Sequence, residues 1–312
     1  MDLGKELDMN TQSLLRFAEE LECRVFPDEP LSQHSTFRIG GCCTAMIDIN
    51  SPDNLTQLWE EANRLGIRTM ALGNGSNVLF DDKGFDGIIF LIGSSMDKIY
   101  MKDDNTIVAQ AGCPLLKLCR FALEHSLSGL EFAYGIPGSV GGAIFMNAGA
   151  YDGEIKDVIK YGRAVDREGR QFEFTAEQMQ LGYRTSRFIE SGELIVEGEF
   201  ELPSGSYDEI QDKMVGLMSR RRDKQPLNMP SAGSTFKRPE GQFAGKLIQD
   251  SGLRGYSVGG AQVSEKHCGF IVNKGGATCA DVLELIKQVQ DKVLKDSGCL
   301  LECEVRYIPY KA

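Results

Sequence analysis

The chain is poor in histidine, with three in 312 residues, and it holds a single tryptophan. Its nine cysteines are scattered, with one adjacent pair, Cys42-Cys43, and no CxxC. No zinc-site spacing results, so no metal is expected. Nor do the cysteines form a disulfide framework. Buried, reduced thiols of a cytoplasmic protein are the expected state, and a redox role for Cys299 and Cys303 is set aside. Long apolar runs are missing, so no segment is expected to span a membrane. The opening MDLGKELDMN lacks a basic n-region and an apolar h-region, and no signal peptide is expected. Positive charge is in deficit. The net charge of −11 argues against nucleic acid or an anionic membrane as partner, although an anionic small ligand reads a local field rather than the total. Other catalytic signatures are missing where they would be needed. No GxSxG elbow lies in the Ser231 to Pro239 turn. Residues 241–246 are one residue short of a P-loop. No GxGxxG opens a helix after a strand, which disfavours a nicotinamide-binding Rossmann domain.

What the chain does have is clustered glycine. Residues 129–155, GLEFAYGIPGSVGGAIFMNAGAYDGEI, contain seven. Glycine costs backbone entropy inside a helix or strand, so such a cluster marks a sharp turn or a close approach of the main chain. Gly138-Ser139-Val140-Gly141-Gly142-Ala143 can line up several N–H groups with no side chains in the way. Such a nest, or a helix N-terminus after it, favours phosphate oxygens. Ile136, Val140, Ile144, Phe145 and Met146 suggest that the loop is buried. A pyrophosphate cradle and a tight turn between packed elements both fit. A second cluster, Gly73-Asn74-Gly75-Ser76-Asn77, follows a short strand at 69–72 and precedes an apolar strand at 87–92; a hairpin turn and a ligand loop fit it equally. Two such loops, each at the edge of a small α+β unit, have enough backbone to grip a dinucleotide.

Hydrophobic spacing supplies the rest. Leu14, Leu15, Ala18 and Leu21 predict an amphipathic helix, ended before Pro27 and Pro30. A strand runs to Ile49, and Ser51-Pro52 is an N-cap and first-turn pair for a helix that stops at Gly66. Strands at 98–101 and 106–111 and a helix at 114–125 follow. A hairpin pairs 158–166 with 171–174, and Thr175 to Gln178 is a capping box. In YRTSRF an extended chain would put Arg184, Ser186 and Phe188 on one face. Arg184 is then either half of a surface cation–π pair or a fork aimed at a substrate carboxylate or enolate. A strand at 194–202 leads to the linker Pro203-Ser204-Gly205-Ser206 and a helix at 207–224. That helix ends in Arg220-Arg221-Arg222-Asp223-Lys224, which either complements the helix dipole or clamps a diphosphate. In Ser231 to Pro239 a hydroxyl and two cations share one turn. His267 is expected to be structural. A helix at 278–297 precedes a last strand at 300–308, with Leu301, Cys303, Val305 and Tyr307 on one face and Glu302, Glu304 and Arg306 on the other.

Taken together, Thr36-Phe37-Arg38-Ile39-Gly40-Gly41, GNGSN, GIPGSVGGAIFMNAGAYDGEI, YRTSRF, AGSTFKRP and LECEVR resemble the UDP-N-acetylenolpyruvoylglucosamine reductase family over residues 34–312. The glycine stretch alone marks the wider FAD-binding superfamily of vanillyl-alcohol-oxidase type. YRxSxF, GSxFK and the final ExEV, in that order, are more specific. The resemblance implies an α+β protein with an N-terminal helix and lead-in segment, 1–32. Next would come an FAD-binding domain of vanillyl-alcohol-oxidase (PCMH) type, 33–203, made of two α+β subdomains at about 33–97 and 98–203, and then a C-terminal α+β substrate-binding domain, 204–312.

It also implies a cytoplasmic monomer that uses FAD and NADPH to reduce UDP-N-acetylglucosamine enolpyruvate to UDP-N-acetylmuramate for peptidoglycan. Hydride passes from NADPH to flavin N5 and then to C3 of the enolpyruvyl group, while charge builds on C2 and the carboxylate as an enolate. Ser234 matches the proton donor to C2; Arg184 and Glu304 match the pair beside the enolate carboxylate. Gly73, Asn74, Gly75, Ser76, Asn77, Gly112, Ile136, Pro137, Gly138, Ser139, Gly141, Gly142, Ala143 and Arg221 fall at cofactor-binding positions. Lys224 matches a lysine on the substrate diphosphate, with Lys237 and Arg238 also on the substrate side. The short spacing between Arg184 and Ser234 leaves no room for a tyrosine-bearing loop, so the chain resembles the shorter class. Arg238 stands where the longer class has asparagine. A flavin oxidase of the same superfamily and a nucleotide-sugar or redox sensor are the rival readings.

Overall fold

The structure, a computed structural model, describes residues 7–311; the signal-peptide expectation falls in part on residues 1–6, outside the described residues. Helix ends follow local chemistry. Asp8 accepts the Thr11 N–H at 2.9 Å to cap Met9–Glu20. Ser51 accepts the Asn54 N–H at 3.1 Å, with Pro52 opening Pro52–Arg64. Thr278 and Asp281 form a full capping box on Cys279–Ser297, and Gly298, at φ 73, ends it. Each such cap contributes about 1 kcal/mol.

Packing divides the chain into two units. The first takes residues up to Glu29, Thr44–Gly73 and Gly87–Gln211. One sheet runs in the order Arg24–Pro27, Cys43–Asp48, Phe85–Leu91, Thr69–Leu72, the last two strands pairing in parallel. A second sheet is antiparallel throughout, in the order Gln171–Thr175, Ile159–Val165, Leu194–Glu201, Thr106–Gln110, Ile99–Asp103. Thr106–Gln110 is buried along its whole length, as a strand covered on both faces must be. The short Val140–Phe145 helix packs on Leu194–Glu201. Gly198 makes room for it: a Cβ there would lie 2.7 Å from Ile144 Cδ1.

The second unit takes Pro30–Cys43, Asn74–Asp86 and the chain from Asp212 on. Helices Ala244–Asp250 and Cys279–Ser297 bury Ile248, Val282, Leu285, Val289 and Val293 with the antiparallel strands Ser257–Val258, Ala261–Val263 and Ile271–Asn273. Phe37, Ile39 and Leu79, from far earlier in the chain, enter the same core. Val78–Phe80 pairs in parallel with Arg306–Ile308. Beside this pair the Tyr307 hydroxyl donates to Asp81 Oδ2 at 2.6 Å, and the Lys83 N–H donates to Asp81 Oδ1 at 2.8 Å. Tyr307 first, then Lys83, holds the Asp81 carboxyl below the usual range, and Tyr307 is pushed up to about 12. A depressed carboxyl stabilises the fold above its unfolded pKa, and that stability is lost as the pH falls through the folded value. Tyr307→Phe is therefore expected to lower the melting midpoint by about 1–3 °C at pH 7. Its melting curve and that of the wild type should converge as the pH drops below about 4; scanning calorimetry across that range checks it.

Several local expectations are corrected. Val78–Phe80 is a strand where none is expected, because three apolar residues carry no period and the partner lies at the other end of the chain. The final strand is Arg306–Ile308 rather than 300–308. Cys303 bridges Phe236 before the chain turns to Val78, so the alternation fails: Leu301 and Val305 are buried, but Cys303 is exposed and Tyr307 is 41% exposed. Thr175 and Gln178 exchange both capping-box hydrogen bonds, at 2.9 and 3.3 Å, yet a turn follows instead of a helix. The stretch 203–206 is not a free linker. Ser128 N–H donates to Pro203 O and Gly205 N–H to Ser126 O, which stitches it to the end of the Leu115–Glu124 helix.

Candidate functional site

In the first unit the glycine loop is shaped by close approach. A Cβ on Gly112 would lie 2.2 Å from Gly93 O, on Gly141 2.8 Å from Ala111 Cβ, and on Gly73 2.3 Å from Ser139 Oγ. The last contact sets the first glycine of GNGSN against GIPGSVGG. Ser139 caps the Val140–Phe145 helix by accepting the Gly142 N–H at 3.4 Å. Val140, Ala143 and Ile144 are buried, whereas Ile136, Phe145 and Met146 are half-buried, so only one face of the loop is anchored. Several amides expected to face a phosphate are spent inside the protein. Val140 N–H donates to Cys113 O and Gly141 N–H to Ala111 O, both at 2.8 Å, and Gly138 N–H donates to Ile136 O at 2.9 Å. The exposed Gly142 leaves the outward side of the loop without a side chain, its own N–H being taken by the Ser139 cap.

Arg184 sits in a turn, not on an extended chain. Tyr183 and Arg184 are the tip residues, closed by Gly182 N–H to Thr185 O at 3.1 Å and Thr185 N–H to Gly182 O at 3.3 Å. Arg184 takes φ 53, and the Ser186 hydroxyl turns away to donate to Phe145 O at 2.7 Å. Arg184, Ser186 and Phe188 therefore do not share a face; Phe188 is buried edge-on to Phe174. The Arg184 guanidinium donates from Nη2 to Gly149 O at 2.9 Å and lies 5.1 Å from the Tyr183 ring. Arg187 differs: its Nε and Nη2 each donate to a Glu193 carboxylate oxygen at 3.1 Å, and it stacks 4.4 Å over Phe174, a structural pairing.

In the second unit four separated motifs join through the main chain. Thr36 N–H donates to Gly75 O at 3.1 Å, and Ser231 N–H to Thr36 O at 3.2 Å, while the Thr36 hydroxyl donates to Ser231 O at 2.7 Å. Glu304 N–H donates to Thr235 O at 2.9 Å, and the Asn77 amide donates to Glu304 O at 3.2 Å. Thr235 is buried, with its N–H on Gly269 O at 2.8 Å and its hydroxyl accepting from Ile271 N–H at 3.0 Å. Ser234, beside it, is half-buried, just after a left-handed Gly233 at φ 76. The structure thus brings Gly75, Asn77, Ser234 and Glu304 together within one unit; Arg184 belongs to the other.

GNGSN itself is set by crowding. A Cβ on Gly75, at φ +59, would lie 1.9 Å from His34 O, so no other residue fits without moving the turn. Among the described residues the N–H groups of Gly75, Ser76 and Asn77 have no protein acceptor. Open amides at this turn suit the phosphates of a dinucleotide, so its residues fit FAD.

The basic residues divide. Arg221 is buried and Lys224 exposed, in the last turn of Tyr207–Lys224, where Lys266 Nζ also donates to Arg222 O. Lys237 pairs with the exposed Glu302 at 3.3 Å, and Arg238 lies 4.7 Å over the Phe243 ring. Burial, with Arg254 and Lys224 nearby, lowers the pKa of His267, whose Nδ1 accepts the Gly269 N–H at 3.1 Å; the ring is structural. All nine cysteines are free, but Cys42 and Cys303 are exposed, against the expectation of buried thiols. Burial pushes Cys113 up to about 11 and Cys279 up to about 12. Among the described residues no group of three or more His, Cys, Asp or Glu could hold a metal, and no helix is long and apolar enough to cross a membrane. Thr36, Thr235 and Asn147, which fix these segments, were not legible as site residues, because each acts on a main-chain partner distant in sequence.

Comparison with known proteins adds to this geometry. A family model described as "UDP-N-acetylenolpyruvoylglucosamine reductase, C-terminal domain" matches residues 225–308, and one described as "FAD binding domain" matches 44–175. A UDP-N-acetylenolpyruvoylglucosamine reductase of Clostridium perfringens is 47% identical over 281 residues, 90% of this chain and 92% of its own length. One from Agathobacter rectalis is 48% identical over 314 residues, covering 96% and 99%. The crystal structure of UDP-N-acetylenolpyruvylglucosamine reductase from Thermus caldophilus matches with TM-score 0.78 at 30% identity, over 92% of this chain and 99% of that one.

Proposed function

The chain belongs to the UDP-N-acetylenolpyruvoylglucosamine reductase family, and we propose that it reduces the enolpyruvyl group of UDP-N-acetylglucosamine enolpyruvate to UDP-N-acetylmuramate for peptidoglycan, with NADPH as electron donor. The observation that carries this reading is the second unit's main-chain network, which ties Gly75 and Asn77 of the cofactor turn to the segments bearing Ser234 and Glu304. FAD, when bound, supplies hydride to C3 of the enolpyruvyl group. The chain's own residues do the rest. Ser234 gives its hydroxyl proton to C2. A serine is a weak acid, so it needs a strongly basic carbon opposite and a cation nearby; Lys237, three residues on, is such a cation. Arg184 cannot lose its charge, and it offers a fixed fork to the developing enolate carboxylate; Glu304 is assigned to the same carboxylate. Lys224 holds the diphosphate, Arg238 lies on the substrate side, and Arg221 lies near the cofactor. The domain limits that go with this reading are 33–203 for FAD and 204–312 for substrate, in a cytoplasmic monomer.

A direct test follows the flavin spectrum. Purified protein is expected to be yellow, to bleach with NADPH, and to regain colour without oxygen only when the enolpyruvyl nucleotide sugar is added. Recovery with oxygen alone at comparable speed would indicate an oxidase, and bleaching with no recovery by the nucleotide sugar would indicate a sensor; either outcome rejects the reading.

A further inference from the structure

We infer that Asn147 is a positioning residue for Arg184, with Ser186 as a second tie, so that the turn carrying the arginine is held to the end of the glycine-loop helix. This rests on the reading of Arg184 as the group beside the substrate carboxylate. Asn147 follows the Val140–Phe145 helix and is joined to it by its own N–H, which donates to Ile144 O at 3.1 Å. Its side chain is wholly buried, and every polar group on it is used. Nδ2 donates to Gly182 O at 2.8 Å and to Glu154 Oε2 at 3.1 Å, and Oδ1 accepts the Lys156 N–H at 3.0 Å. Gly182 O is the same carbonyl that closes the Tyr183–Arg184 turn by accepting the Thr185 N–H at 3.3 Å. The carboxamide thus takes that oxygen's other lone pair with the shorter bond, and fixes the turn's base.

Ser186 fixes the other side. Its buried hydroxyl donates to Phe145 O, one of the last-turn carbonyls that a helix cannot satisfy internally. The guanidinium reports to the same place, since Arg184 Nη2 donates to Gly149 O, two residues past Asn147. Backbone and head group of Arg184 are therefore both referenced to residues 145–149. A buried Asn that merely satisfied its own loop would not reach Gly182. Asn is also one of the few residues that sits readily at its backbone angle, φ 43. A fully satisfied buried network holds one geometry, and a misplacement of about 1 Å at a reacting centre can cost about a hundredfold in rate.

The test uses the full-length FAD-loaded protein with Asn147→Gly, which removes the carboxamide but tolerates the left-handed backbone, and with Ser186→Ala, which deletes one hydroxyl and keeps the cycle interpretable should the first variant fold poorly. Both are expected to be reduced by NADPH at the wild-type rate. Anaerobic reoxidation by the enolpyruvyl substrate should slow about tenfold to a hundredfold in Asn147→Gly, and less in Ser186→Ala. In an Arg184→Ala background each should add less than about twofold, because the arginine it positions is gone. Amide hydrogen exchange of residues 180–188 should rise in both single variants, a readout independent of turnover. Unchanged exchange, or a slowing that multiplies in full onto Arg184→Ala, overturns the inference. Normal turnover by Arg184→Ala alone would instead overturn the assigned role of the arginine, while the exchange data still decide the tie.

Discussion

Ser234→Ala is expected to keep its FAD and its reduction by NADPH, and to lose turnover of the enolpyruvyl substrate by about 10²–10⁴-fold, the range for removing a general acid. The neighbouring residues make this a clean substitution. Thr235 is held at both ends of its peptide, by Gly269 and Glu304, and Lys237 N–H donates to Glu302 O at 2.8 Å. None of these bonds passes through the Ser234 hydroxyl, so the segment should keep its path when that oxygen is removed. Stopped-flow spectroscopy separates the two half-reactions. A variant that reoxidises with substrate at the wild-type rate would show that the C2 proton comes from elsewhere.

Arg184→Ala is expected to slow the same half-reaction by about a hundredfold or more, as loss of a preorganised donor to developing charge does. Arg184→Lys should recover little. A lysine keeps the charge but cannot present a planar fork, and it cannot donate to Gly149 O while also forking towards a carboxylate. Reduction by NADPH should be spared in both variants. An Arg184→Lys protein with full turnover would mean that charge alone, without fork geometry, is what the reaction requires there.

Helix boundaries were the most legible part of the sequence, because their causes are local. Ser51, Pro52, Thr278 and Gly298 act on neighbours within a few residues, and Tyr207–Lys224 and Thr69–Leu72 run over the expected residues. The pairing of Val78–Phe80 with Arg306–Ile308 was not legible, since nothing within a three-residue strand names a partner so distant in the chain. The Tyr183–Arg184 turn was hidden for a different reason. No glycine or proline marks its tip, and the hydrogen bond that fixes its base comes from Asn147, 35 residues earlier. The candidate residues themselves were readable from their motifs. What was not readable was the set of main-chain bonds made by Thr36, Asn147 and Thr235, because a hydroxyl or carboxamide in a sequence does not declare which carbonyl it will find.

The partnership of Val78–Phe80 with Arg306–Ile308, and of Asn77 with Glu304, also bears on biosynthesis. A ribosome makes the glycine turn at 73–77 long before its restraining strand at 306–308. A nascent polypeptide stalled before residue 304 carries that turn with its tie to Thr36 but without those made by Glu304 and Arg306. The turn is therefore fully held only once residues 304–308 have emerged.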